Sequence, residues 1–125
     1  MRFSLHHGSV LIGRSMLEHT DWGMGVATGA FEPAAGYAQV RPIFREYAEA
    51  HGPGGAVDAA RLRRMWAARD ALGLELRGPG DERVAVEWAQ VYDFGEEAGA
   101  AGYELEVKLL DRDQWRRLSD RAPAS

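Results

Sequence analysis

Val84-Ala-Val-Glu-Trp-Ala-Gln-Val-Tyr-Asp-Phe94 is the segment whose reading decides the fold. Successive side chains of an extended strand point to opposite faces. Val84, Val86, Trp88, Gln90, Tyr92 and Phe94 therefore share one side, and Ala85, Glu87, Ala89, Val91 and Asp93 share the other. After a loop from Gly95 to Gly102 the alternation resumes: Tyr103, Leu105, Val107 and Leu109 interleave with Glu104, Glu106 and Lys108. Two such strands, each with a polar side, predict an antiparallel pair in a sheet with one face wet.

Working outward, Leu72, Leu74 and Leu76 alternate with Gly73, Glu75 and Arg77, and Gly78 to Asp81 is a turn cluster. Residues 2–7 alternate as well, His7-Gly8-Ser9 is a turn candidate, and Val10-Leu-Ile12 opens a second strand, so a hairpin is expected. Val26 to Phe31 reads as a third strand, whose interior Gly29 predicts a bulge or a close backbone approach.

Tyr37, Val40, Ile43, Phe44 and Tyr47 form a stripe of helical period after Pro33. Pro42 inside that stripe either kinks the helix or marks its true first turn after a looser segment. Gly52-Pro-Gly-Gly55 is a loop, and Asp58 is a cap for a helix carrying Leu62, Met65, Trp66 and Arg69. Asp111 or Asp113 can cap a last helix with Trp115 and Leu118. The expected fold is α+β: an antiparallel β-sheet with helices packed on one face, in the order β-β-β-α-α-β-β-β-α. No repeat or linker divides the chain, so residues 1–125 read as a single domain.

Composition narrows the function. The absence of Cys excludes disulfides, thiolate metal sites and Cys nucleophiles. No run approaches the roughly 18 apolar residues of a membrane helix, and the N-terminus lacks the pattern of a signal peptide. A cytoplasmic protein is expected. The net charge of −4 is uneven, with nine basic and eight acidic residues in 1–77 but six and eleven in 78–125. An acidic C-terminal half disfavours nucleic acid and anionic membranes, which need cationic surface, and suits a basic partner.

Several constellations have competing readings. His6 and His7 point to opposite faces of a strand and cannot share an ion, and His19 with Asp21 supplies only two ligands, so no metal is expected. Ser15, His19 and Asp21 are the residue types of a hydrolytic triad without its spacing, and a solvated turn accounts for them better. Gly23, Gly25 and Gly29 precede a strand rather than opening a helix, unlike a dinucleotide-binding loop, and no cofactor is expected. Arg61, Arg63, Arg64 and Arg69 beside Trp66 could stack on a nucleobase, but Asp58 and Asp70 flank them, and a solvated helix face is the simpler reading.

The strongest charge feature is Asp93, Glu96, Glu97, Glu104 and Glu106, on one loop and the polar sides of the strands it joins. It reads either as solubilising decoration or as a recognition surface for a basic protein, with Tyr92 and Tyr103 as aromatic anchors. Glu18, Asp21 and Trp22 form a second candidate surface. The alternative is a small enzyme or ligand-binding protein with acid/base residues Glu18, His19 and Asp21, which requires those side chains to converge on a cleft. A third reading is self-assembly through an edge strand such as residues 2–7.

Ser15 to Pro33 carries the pattern S-x-L-E-x-x-D-x-x-M-G-V-A-x-G-x-F-x-P, followed by Tyr37 and by Arg41, Phe44 and Arg45. It resembles a family of small uncharacterised bacterial proteins, with weaker echoes at Arg69 to Leu76 and Val91 to Phe94, about half the chain in all. In size and acidity the chain is similar to the immunity proteins of bacterial toxin systems. That similarity implies a non-enzymatic protein that neutralises a cognate, basic toxin domain through its acidic surface.

Overall fold

The computed structural model describes residues 3–50, 58–95 and 102–120, with the side chains of 119 and 120 left aside. Eight strands run in chain order as β1 (Phe3–His7), β2 (Val10–Ser15), β3 (His19–Asp21), β4 (Val26–Pro33), β5 (Leu74–Arg77), β6 (Arg83–Val84), β7 (Val86–Asp93) and β8 (Tyr103–Leu109). The helices are α1 (Arg41–Ala50), α2 (Ala59–Ala71) and α3 (Arg112–Asp120), and a 3₁₀ turn at Ala35–Gln39 precedes α1. The fold is mixed α+β, and every strand pairing among the described residues is antiparallel.

The order differs from the expected one by two strands. His19–Asp21, expected as a solvated turn, pairs with the first residues of β4. Val84, expected as the start of one long strand, instead forms β6 with Arg83 and pairs with β5, through Leu76↔Val84 and Arg77↔Arg83. The sheet runs β6-β5-β1-β2-β4-β8-β7, with β3 beside β4. Its two end strands, β6 and β7, are one run of chain interrupted only at Ala85, so the sheet nearly closes on itself. β1 lies between β2 and β5, so residues 3–7 are not an edge for self-pairing.

The switch between partners has a local cause. Val86 pairs with Leu109 and Trp88 with Lys108, so the pairing slips by one residue at Glu87. An extra residue in one strand reverses the in/out alternation beyond it. Val84 faces the core before the slip, and Ala89, Val91 and Asp93 face inward after it, while Gln90 between them is buried from the other side, against Arg69. The single-sided set from Val84 to Phe94 is thus split in two.

The core of the described residues is one cluster that includes Leu5, Ile12, Phe31, Leu76, Val84, Val91, Leu105 and Val107 from the strands, Tyr37 and Val40 from the approach to α1, Phe44 from α1, and Trp115 and Leu118 from α3. Trp115 stacks on Phe3 with 4.8 Å between ring centroids, and its Nε1 donates to Thr20 Oγ1 at 3.0 Å. α2 lies elsewhere: its Arg69 meets Gln90 and Trp88, which alternate with the core-facing Ala89 and Val91. The helices are therefore not confined to one face, because a sheet that curls has an inside and an outside, and α2 covers the outside.

The competing readings of Pro42 resolve in favour of a true first turn. The chain makes a 3₁₀ turn, and α1 begins at Arg41 with Pro42 second, where no N–H is needed. Asp58 caps α2 by accepting from Ala60 N at 3.2 Å, and Asp111 caps α3 by accepting from Gln114 N at 3.0 Å. No helix among the described residues is long and apolar enough to cross a membrane.

Gly29 is a close-approach position. A Cβ there would sit 2.8 Å from Leu17 N and 2.8 Å from Ser15 Oγ. Leu17 is buried in the left-handed region at φ 45°, held there as Ser15 Oγ accepts its N–H at 3.1 Å. Glu18 Oε2, at 2.7 Å, can move aside, but the Leu17 backbone N cannot, so Gly29→Ala is expected to lower unfolding stability by about 1–3 kcal/mol, read in a urea titration, whereas Ala30→Gly on the exposed side of β4 should cost under about 1 kcal/mol.

Candidate functional site

The slip at Glu87 turns Trp88, Gln90 and Tyr92 outward, opposite Lys108, Glu106 and Glu104 of β8. Over this outer surface lie α1 and α2, leaving a groove of about 430 Å³. Its walls are aromatic: Tyr47 of α1, Trp66 of α2, and Trp88 and Tyr92 of β7. Tyr47 and Tyr92 meet at a tilt with centroids 6.0 Å apart, and Trp66 is 40% exposed at the rim.

Two carboxylates and one guanidinium line the same groove. Glu106 Oε1 accepts from Tyr92 OH at 2.7 Å, which fixes it against the aromatic wall. Burial, this hydrogen bond and the nearby negative charges push the Tyr92 phenol well above its ordinary value. Arg69 is only 7% exposed; its Nε donates to Asp70 Oδ1 and its Nη1 to Gln90 Oε1, each at 3.0 Å, and its guanidinium lies over Trp88 at 5.0 Å. Gln90 donates onward to the Val91 carbonyl at 3.0 Å. Arg69 is thus held inside the molecule by Asp70, Gln90 and Trp88, and Glu106 is the groove carboxylate with no cation paired to it among the described residues. Exposed Glu104 extends the acidic surface along β8. Aromatic faces beside carboxylates attract cations by two additive routes, the ring quadrupole and the charge.

The predicted acidic residues separate. Glu104 and Glu106 share the outer surface of β8, and Glu96 and Glu97 lie outside the described residues. Asp93 is not part of the surface: it is 0% exposed, on the inward side that the slip creates. Its Oδ2 accepts from Tyr37 OH at 2.7 Å and its Oδ1 from Gly95 N at 2.9 Å, while Arg41 and Arg45 approach to 3.7 and 3.6 Å. Arg45 also donates to the Asp93 carbonyl at 3.1 Å. Burial, followed by the hydrogen bond to Asp93, raises the Tyr37 phenol. Of the expected anchors, Tyr92 lines the groove, but Tyr103 packs edge-on against Tyr37 at 5.8 Å.

The Glu18–Trp22 segment does not form one site with these. Glu18 and Ser15 border a separate pocket of about 70 Å³ with Arg14 and Glu32. Ser15 is buried and bonded to Leu17, whereas His19 and Asp21 are exposed on β3, so the three do not converge. Asp21 Oδ1 accepts from Met24 N at 3.0 Å, a turn-capping role. Trp22 lies under the Arg116 guanidinium at 5.2 Å, a cationic neighbourhood rather than an acidic one. Among the described residues no group of three His, Asp or Glu could hold a metal ion.

Tyr47, Trp88 and Asp70 of the groove were not singled out as site residues from the sequence. The available signal was the i, i+3, i+4 spacing of Trp66, Arg69 and Asp70, which places all three on one side of α2. No family model, no curated protein and no solved structure matches this chain.

Two outcomes follow for the tyrosines and for Asp93. A phenol whose folded value is raised supplies stability that is complete below the unfolded value of about 10 and is lost as pH climbs through the folded value. An alkaline titration of phenolate absorbance should show Tyr37 and Tyr92 ionising only as the chain unfolds, and Tyr92→Phe should remove one of these late phenols. Asp93→Ala leaves Tyr37 OH and Gly95 N without their acceptor, removes the charge that Arg41 and Arg45 face, and is expected to cost about 3 kcal/mol in thermal unfolding. A loss under about 1 kcal/mol would mean the carboxylate is not a structural tie.

Proposed function

We propose that this chain is a non-enzymatic binding protein that receives a cationic segment of a protein partner in the groove between α1, α2 and the outer side of β7 and β8. The observation that carries the reading is the lining: four aromatic rings and the carboxylates of Glu106 and Asp70, with the lining cation, Arg69, held by Asp70 and Gln90. Trp66 at the rim is the natural anchor, since a large aromatic half in water and half against a wall gains most from being covered. Glu104 and its neighbours would steer a basic partner toward the groove. Among basic partners, the toxin domain of an immunity pair is the class that the chain's resemblance implies, with the groove and its acids as the neutralising surface.

The test is capture of partners from lysate of the source organism on the tagged chain, beside a Glu104→Lys/Glu106→Gln variant that keeps a hydrogen-bond acceptor for Tyr92. The expected result is one stoichiometric partner with a basic domain, held at least tenfold more weakly by the variant, about 1.4 kcal/mol, and weakened further by Trp66→Ala, by about 2 kcal/mol. Equal retention of that partner by both variants would remove the groove as its site.

A further inference from the structure

The turn between β3 and β4 carries exposed apolar groups, with cationic groups of β8 and α3 beside it, that the groove does not use. Trp22 is 39% exposed and Met24 62%. Arg116 lies over Trp22 at 5.2 Å. Arg112 is one helical turn earlier on α3, on the same side, and its guanidinium packs on Gly25. A Cβ built at Gly25, which has φ 70°, would lie 3.0 Å from Arg112 Nη2 and 3.4 Å from Lys108 Nζ, so these two cations converge on one point of the turn. Lys108 Nζ donates to the Met24 carbonyl, a contact that holds it there. Among the described residues no carboxylate forms an ion pair with Lys108, Arg112 or Arg116.

From this arrangement we infer that the β3–β4 turn and the adjoining side of α3 form a second docking surface, and that its occupant is an acidic segment of a protein partner. Like charges held close raise the energy of the free protein, and a carboxylate placed between them lowers it. The side chains are positioned by a backbone carbonyl, a glycine surface and an indole ring, so little ordering is required when the partner arrives. The exposed part of Trp22 and the Met24 thioether offer contact for apolar residues among the partner's acids. Asp21, Asp111 and Asp113 adjoin these residues in the chain, which disfavours a phosphodiester strand or an anionic bilayer, since both present continuous negative charge. A protein segment can place its carboxylates at the cations and its apolar side chains elsewhere.

The experiment is fluorescence titration of the full chain, at low salt, against a labelled peptide of alternating Glu and Leu. A single-stranded oligonucleotide of equal charge and phosphatidylglycerol vesicles serve as competitors for the assignment. Saturable peptide binding is expected, weakened about tenfold or more by Arg112→Gln/Arg116→Gln and about threefold by Trp22→Ala, with Glu104→Lys unaffected. The variants lie at exposed positions, and far-ultraviolet circular dichroism checks that they are folded. No saturable binding, binding unchanged in the double variant, or tighter binding to the oligonucleotide or the vesicles would overturn the assignment. Because the readout is insensitive to Glu104, its failure leaves the groove reading untouched.

Discussion

β7 carries one residue more than its partner strand between Val86 and Trp88, and most of the architecture follows from that count. Without the slip, Trp88, Gln90 and Tyr92 would continue the side begun by Val84 and enter the core. With it, the smaller Ala89 and Val91 enter, and the large amphipathic side chains go outside. That exchange has a steric logic. The interior of a nearly closed sheet also has to hold Phe3, Phe31, Phe44 and Trp115, so small residues are needed on β7. The same bend lets Val84 pair with β5 while the following residues pair with β8, so one chain segment brings the two ends of the sheet together.

A second constraint fixes the helices to that sheet. Asp93 is the last residue of β7 and is wholly buried, an arrangement that is costly unless the charge is compensated. Tyr37 OH and Gly95 N donate to it, and the guanidinium groups of Arg41 and Arg45 stand within 4 Å. These partners come from the 3₁₀ turn, from the first turns of α1 and from the loop after β7, so one carboxylate sets the position of the element that walls the groove. Tyr47, farther along α1, reaches Tyr92 because α1 is tied at its start. Neighbouring acids are thereby divided between the inside and the outside of the sheet. Asp93 holds the scaffold, while Glu104 and Glu106 face outward.

Much of the fold was legible in the chain because periodicity survives local error. The alternation of Tyr103 to Leu109, the hairpin at Gly8-Ser9, the close approach at Gly29 and the caps at Asp58 and Asp111 all follow from rules that act over a few residues. The slip at Glu87 did not show, because Val84 to Phe94 alternates without interruption in sequence, and only the pairing with β8 reveals the extra residue. For the same reason Asp93 read as a surface acid. The strand at His19–Asp21 is three residues long and polar, too short for a pattern to register. The candidate site was half visible: Glu104, Glu106 and Tyr92 stood out by charge and alternation, but their partners Tyr47, Trp66 and Asp70 come from helices whose placement depends on the slip.

Net charge by halves of the chain also misdescribes the surface. The C-terminal half is the acidic one, yet Lys108, Arg112 and Arg116 from that half gather on the β3–β4 turn. Meanwhile Asp70, from the nearly neutral half, joins Glu106 at the groove. The reason is alternation on β8: Lys108 projects on the same outer side as Glu104 and Glu106, but it lies at the far end of the strand, where the β3–β4 turn and α3 meet it. One strand face thus runs from negative to positive over a few residues, which gives the molecule an oriented charge distribution. A partner steered by that field would arrive in one orientation, since one end attracts its cations and the other repels them. Discrimination of that kind depends on where the charges sit and is invisible in their sum.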